Sequence, residues 1–314
     1  MRQFATVETE RSRHKIGTVR TANSLKAAML AALISSASLS FAQSAPSRSE
    51  IEKRIASLPA ERKTYQRFWS WTAALPASAR GTSETNQYKQ EQLLKSYKAW
   101  LIDTGSSPAE AASEIATLQK QGDAEVAQFW NQLLVKERPH WMNSEPNGFL
   151  VEMVKGHKVG KALDVAMGQG RNAIWLALQG WEVSGFDPAD EAIAVAQDEA
   201  TRLGVRIHTE VTTMEQFNFG ENRWDLIVLS YAGCSGIAAQ VQKALRPGGI
   251  LVEEAFHTDA LKTMQIGGSL CKPAELPNAF KELRVIRYEE PIAKPDFAPR
   301  PTRVVRFAAQ KPIE

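Results

Sequence analysis

Residues 161–189 read KALDVAMGQGRNAIWLALQGWEVSGFDPA, and this stretch decides the fold. Ala162-Leu163-Asp164-Val165 has the composition of a short buried strand that carries a carboxylate near its end. Ala166-Met167-Gly168-Gln169-Gly170 makes a tight turn, and Ala173, Ile174, Leu176, Ala177 and Leu178 then give a helix an apolar side. A second strand over 181–186 ends on Asp187. Strand, glycine turn, helix, strand and acid make a βαβ unit that binds a nucleotide.

Two ligand classes fit this outline. Gly168-Gln169-Gly170-Arg171-Asn172-Ala173 satisfies G-x-G-x-x-A, a variant of the dinucleotide fingerprint, so an NAD-dependent oxidoreductase is one reading. Asp164 argues for the other. A carboxylate at the strand tip repels a pyrophosphate held at the following helix N-terminus, and it attracts an ammonium group. S-adenosylmethionine carries such an ammonium beside its sulfonium. Asp187 then accepts hydrogen bonds from ribose hydroxyls.

The run Asp164-Val165-Ala166-Met167-Gly168-Gln169-Gly170 resembles the D/E-x-G-x-G-x-G motif of class I S-adenosylmethionine-dependent methyltransferases, with Ala166 in place of the first glycine. The substitution costs little at negative φ and more in a left-handed turn. GQGRNAIWLALQGWEVSGFD is similar to the small bacterial methyltransferases of the tellurite-resistance type. The resemblance covers roughly the last half of the chain. It implies an open, doubly wound α/β Rossmann-like sheet of seven strands, ordered 3-2-1-4-5-7-6 with an antiparallel last strand. It also implies S-adenosyl-L-methionine as cofactor, held by Asp164, Ala166, Gly168, Gly170, Asp187, Thr213, Met214 and Ser230. Thr213 stands where the family has an acid facing adenine, and Met214 supplies an apolar face. In the relatives a W-x-x-x-x-P-N-x-x-L stretch folds over the cofactor; Trp141, Pro146, Asn147 and Leu150 match it, which makes Trp141 and Asn147 candidates near the substrate. Trp141 either covers the sulfonium by cation–π attraction or staples the next helix.

Downstream, the order stays regular. A helix over 190–203 precedes a third strand over 205–211, and 224–229 is an apolar central strand ending at Ser230 and Tyr231. A helix over 236–245, a turn at Arg246-Pro247-Gly248-Gly249 and a fifth strand over 250–256 follow. A short helix over 273–280 and two strands over 283–288 and 302–307 complete the domain.

Upstream, residues 43–139 read as a helical extension, and 140–314 as the methyltransferase domain. Tyr65, Phe68, Trp69 and Trp71 cluster, and Leu93, Leu94, Tyr97, Trp100 and Leu101 recur at helical spacing. Ser107-Pro108-Ala109-Glu110 is a capping box opening a helix to Gly122, with Asp123 capping the next. The extension either packs on the main domain or serves as a substrate lid.

The 314 residues have a formal net charge of +3. Six basic and two acidic residues give 1–42 a charge of +4 and leave the rest at −1, so the body offers no electrostatic case for nucleic acid. The basic segment followed by 27–34, AAMLAALI, and by Ser40-Phe41-Ala42 reads as a signal peptide or a disordered leader. The apolar run is too short for a comfortable membrane span. The leader points to export, while the supply of S-adenosylmethionine points to the cytoplasm, so localisation stays open. Cys234 and Cys271 match no zinc spacing and are either a disulfide or two thiols; no metal is expected.

Methyl transfer is an in-line displacement that needs alignment more than side-chain chemistry. A thiol or chalcogen oxyanion needs no base; a hydroxyl does. Tyr231 and His257 are the polar candidates at strand ends for a catalytic role, each against a packing role, and Glu254 is a buried acid behind them. The expected function is methyl transfer from S-adenosylmethionine to a small-molecule acceptor, the alternative a non-catalytic cofactor-binding module. Oligomeric state carries no sequence signal.

Overall fold

The computed structural model describes residues 47–58, 60–75, 86–140, 142–262 and 270–313. The expected leader over 1–42 and the candidate Trp141 lie outside the described residues.

The quoted stretch folds as read. β1 (Lys161–Val165) and β2 (Glu182–Asp187) pair in parallel across α6 (Arg171–Leu178). Helix α7 (Asp190–Arg202) leads to β3 (Ile207–Val211) beside β2, and β4 (Trp224–Ser230) lies on the other side of β1. After α8 (Ala238–Ala244), β5 (Leu245–Phe256) pairs with β4. The short α9 (Glu275–Ala279) precedes β6 (Arg284–Glu289), the two-residue β7 (Ile292–Ala293) and β8 (Thr302–Gln310). The order is β3-β2-β1-β4-β5-β8-β6, with β7 on β8, eight strands rather than seven. Without β7 the expected order is recovered. β8 runs antiparallel between β5 and β6.

The central strands are buried on both faces, which explains their unbroken apolar runs. Leu163, Val165, Ile227, Leu229 and Leu251 pack on one side, and Ala162, Leu226, Val228, Ile250 and Val252 on the other. Alternation with period two sends neighbouring residues to opposite cores. It therefore also sends Glu253 and Glu254 of β5 to opposite faces.

Among the described residues before Gln132, the helices are α1 (Arg48–Ile55), α2 (Ala60–Ala74), α3 (Asn86–Asp103) and α4 (Pro108–Asn131). They enclose their own core of Ile51, Phe68, Trp71, Tyr97, Leu101 and Leu118. The Tyr97 hydroxyl and Arg67 both donate to Glu114, each at 2.6 Å, which satisfies the polar atoms at the edge of that core. Ser107 caps α4 in the capping box as read.

Besides shifts of a few residues at element ends, two expected breaks are absent. Gly122 does not end a helix, because α4 runs through it to Asn131 and continues as a π-helical turn, Gln132–Glu137. Burial of Gly122 and Leu118 outweighs the ~1 kcal/mol helix penalty of one glycine. Residues 246–249 are not a turn before β5 but a register shift inside it, between the Trp224–Leu245 and Leu226–Ile250 pairs.

The extension meets the domain at the start of α7. Ala189, the N-cap of α7, has no side chain able to cap it. Asn131 supplies the missing acceptor: its Oδ1 accepts from the Glu191 N–H at 3.1 Å, and its Nδ2 donates to Asp190 Oδ1 at 2.7 Å. Lys136 pairs with Glu191 at 3.0 Å. This joint holds the π turn above the glycine turn. Leu134 Cδ1 lies 3.3 Å from where a Cβ on Gly168 would be.

Candidate active site

Asp164, Asp187, Thr213, Ser230 and His257 stand at or just past the carboxyl ends of the parallel strands β1, β2, β3, β4 and β5. Asp164 is 1 % exposed. Its Oδ2 accepts from the Ala173 N–H at 3.1 Å, so the carboxylate reaches the first turn of α6 from the neighbouring strand. The α6 N-cap is Gly170, which has no side chain for this role. Asp164 thus fills the anion position of the helix N-terminus itself. Burial pushes its pKa up to about 7 against the lowering effect of Arg171.

Ala166 has φ +52, the left-handed region. The glycine of the family motif is therefore replaced where the turn needs it, at a cost of about 1–2 kcal/mol. Gly170, at φ +76, is also pinned by space, since a Cβ there would stand 2.9 Å from Ala196 Cβ. Asp187 braces the turn: Oδ2 accepts from Gly168 N–H at 2.9 Å and Oδ1 from Ala189 N–H at 2.8 Å. Burial raises its pKa, opposed by those two bonds. Each oxygen keeps a lone pair for a further donor.

Thr213 follows β3 and is 7 % exposed. Its backbone carbonyl accepts from Gln216 and Phe217, yet its Oγ1 is buried with no hydrogen-bond partner among the described residues. Such an orphan is unusual enough to need a reason. Met214 is half-buried and packs against the core cluster beneath.

The second half of the site is a closed polar network. Arg171 donates through Nη2 to Ser230 Oγ at 2.9 Å and to Asp296 Oδ2 at 2.8 Å, and through Nη1 to the Glu145 carbonyl at 2.8 Å. Its guanidinium lies over Phe297, 5.1 Å from the ring centre. Asn147 caps α5 (Gly148–Met153) by accepting from Leu150 N–H at 3.0 Å. Its Nδ2 donates to Asp296 Oδ2 at 2.7 Å and to Glu254 Oε1 at 2.9 Å. The Tyr231 hydroxyl donates to Glu254 Oε1 at 2.6 Å and accepts from Asp296 N–H at 3.3 Å. Arg306 closes the network at 2.5 Å from Glu254 Oε2.

Asn147, expected near the substrate, is 3 % exposed with both ends of its amide engaged, which gives it a positioning role in this network. Tyr231, at φ +59, packs its ring against Phe256 and Phe297. Burial and the Glu254 charge push its pKa well above the usual phenol value, so it donates a hydrogen bond and does not ionise near neutrality. His257 is not brought into this network. Its Nδ1 accepts from Asp259 N–H at 3.0 Å, its Nε2 faces Glu290 at 3.8 Å, and it is 3 % exposed. The chain turns back to Cys271 at this point, which closes it in.

Sequence reading passed over Asp296, the acceptor shared by Arg171, Asn143 and Asn147. It lies in the Pro-flanked stretch Lys294-Pro295-Asp296-Phe297-Ala298-Pro299, which has no periodicity. Asp296 is 9 % exposed in this loop, a burial that no local pattern in the sequence announces. Cys234 and Cys271 are bonded, with Cα atoms 5.5 Å apart.

Comparison with known proteins agrees with this geometry. Residues 162–249 match the family model described as a methyltransferase domain. Over 152 residues the chain is 26 % identical to the probable S-adenosyl-L-methionine-dependent methyltransferase TehB of Haemophilus influenzae, covering 46 % of this chain and 53 % of that protein. Over 125 residues it is 26 % identical to ribosomal RNA small subunit methyltransferase C of Alcanivorax borkumensis, covering 36 % and 38 %. The crystal structure of TehB from Haemophilus influenzae superposes with a TM-score of 0.46 at 22 % identity, covering 52 % of this chain and 62 % of that one. The chain thus spans about half the length of the TehB sequence it matches. The resemblance read from the glycine turn is borne out at the level of the segment: residues 162–249 match a methyltransferase domain.

Proposed function

We propose that this chain, built on a class I S-adenosylmethionine-dependent methyltransferase domain, transfers a methyl group from that cofactor to a small acceptor. The observation that carries the reading is Asp164 at the N-terminus of α6. With that helix end taken by a carboxylate, a dinucleotide pyrophosphate is repelled and an ammonium group is attracted. Asp187 and Thr213 would hold the ribose and adenine ends, and the turn at 166–170 would lie against the cofactor's amino-acid end. S-adenosylmethionine supplies an electrophilic methyl group on sulfur when bound.

The acceptor side is lined by Tyr231, Glu254, Asp296, Arg171 and Asn147. Tyr231 is held protonated, Glu254 and Asp296 accept from several donors each, and His257 lies apart. The oxygens of Glu254 and Asp296 are taken up by these donors, so no base stands free on this side among the described residues. This favours an acceptor that arrives nucleophilic, a thiolate or a chalcogen oxyanion, over an alcohol. The chain's own residues then align the partners and exclude water, and Arg171, paired with Asp296, ties Ser230 and the Glu145 carbonyl into that frame.

The body's charge of −1 supports a small molecule over nucleic acid, although one relative is named for ribosomal RNA. No helix among the described residues is long and apolar enough to cross a membrane. The Cys234–Cys271 bond supports the exported reading of the leader.

Transfer of labelled methyl groups to thiols, chalcogen oxyanions, phenols and ribosomal RNA tests the proposal. Turnover on a thiol or oxyanion is expected. Labelling of RNA alone would refute the small-acceptor reading, and binding without any turnover would leave only a cofactor-binding module.

A further inference from the structure

On the face of β5 opposite the methyl-transfer network, Glu253 lies among apolar residues. It pairs in register with Leu229 of β4 and Phe307 of β8, and Leu251 and Ala255 flank it on the same face. It is 1 % exposed, and neither carboxylate oxygen has a hydrogen-bond partner among the described residues. Nothing in the methyl-transfer site uses it. An unpaired carboxylate in an apolar core is costly, and leucine or glutamine would fill the place at less cost. Its neighbours are the two sulfurs: one oxygen of Glu253 and the Sγ atoms of Cys234 and Cys271 all lie within 4.8 Å of one another, and all three residues are buried.

We propose that Cys234, Cys271 and Glu253 form, in the dithiol state, a buried site for a thiophilic divalent cation of the zinc class. Two thiolates and a carboxylate are a zinc-type donor set. A tetrahedral ion with bonds of about 2.3 Å to sulfur separates its ligand sulfurs by about 3.8 Å, well inside the present cluster. Cleavage of the Sγ–Sγ bond and rotation about the Cα–Cβ bonds reach that spacing without moving the strands. A phosphine or dithiol reductant gives two electrons to the disulfide, the sulfurs take up two protons, and the reductant is oxidised by the same two electrons. The cation then displaces the thiol protons, and any proton on Glu253, to solvent. Three protein ligands leave a fourth position for water. The ion would fasten the loop leaving β4, which carries Tyr231 three residues before Cys234, to β5 and to the segment at Cys271, as the disulfide does in the oxidised chain.

The test uses the full chain. Protein reduced with a phosphine, desalted without oxygen and titrated with cobalt(II) is expected to bind one equivalent with a strong thiolate-to-cobalt absorption that zinc(II) abolishes. The disulfide form is expected to show no such band. Glu253→Gln is expected to weaken cobalt binding at least ~10-fold, since one ligand is lost, and Cys271→Ser to remove the absorption. X-ray absorption on the zinc-loaded wild type needs no variant and is expected to show two sulfur and at least one oxygen neighbour. No uptake by reduced wild type, unchanged affinity in folded Glu253→Gln, or a zinc shell lacking either sulfur or oxygen overturns the proposal.

Discussion

Binding of S-adenosylhomocysteine should expel a proton from Asp164. Burial holds this carboxyl at about 7 in the free protein. At pH 6.5 about three quarters of the molecules therefore carry the proton. An ammonium group arriving within a few ångströms lowers a carboxyl pKa by about 1–3 units. A 1-unit drop leaves about a quarter of the molecules protonated and a 3-unit drop almost none, so roughly 0.5–0.75 protons should leave per ligand bound. Titration calorimetry in buffers of different ionisation enthalpy reads this number directly as the slope of apparent heat against buffer heat. Release should fall as pH rises past 8, where the group is already ionised. In Asp164→Asn it should vanish at every pH. A slope of zero in the wild type, proton uptake, or the same release in Asp164→Asn would refute the argument, because no cation would then be meeting this carboxylate. The same group makes a stability prediction of defined sign. Its folded pKa lies above the ordinary 3.8, so its contribution is complete below about pH 4 and is lost as pH rises through about 7. The loss amounts to about 4 kcal/mol at most from this group alone, and denaturant unfolding of Asp164→Asn should lack that slope.

Thr213→Val removes an unpartnered buried hydroxyl at nearly constant volume; urea unfolding of the ligand-free protein should show equal or greater stability, while S-adenosylhomocysteine affinity falls about 3- to 10-fold. Ala166→Gly relieves a left-handed alanine but frees the unfolded chain, and the balance should appear as a gain of about 0.5 kcal/mol in the same unfolding assay. Gly170→Ala, which sets a Cβ against Ala196 at positive φ, should cost about 1–3 kcal/mol. In Tyr231→Phe, turnover should drop while the pH profile between 6 and 9 keeps its shape, since the phenol does not titrate there; a lost basic limb would identify Tyr231 as a base instead.

The βαβ core was legible because each part carries its own local signal: apolar strands, a glycine turn, a helical stripe and a terminal acid. Asp164 and Asp187 could be placed because strand-end acids follow from strand length. The loop at Asp296 gave no such signal, since its role depends on Arg171 and Asn147 meeting it from distant parts of the chain. Gly122 misled because burial within a long helix overrides propensity. Residues 246–249 misled because Pro-Gly-Gly serves equally well as a turn or as a bulge inside a paired strand. His257 sits at a strand end as read, but the return of the chain at Cys271 walls it off. That contact joins residues 14 positions apart and has no local trace in the sequence.

The account stands on a cofactor held at the 164–187 crevice through a cation. Equilibrium dialysis of the full chain with labelled S-adenosylmethionine measures this directly. One molecule should be retained per chain, displaced by S-adenosylhomocysteine, unaffected by NAD and strongly reduced in Asp187→Ala. Displacement by NAD, or no retention at all, would contradict it.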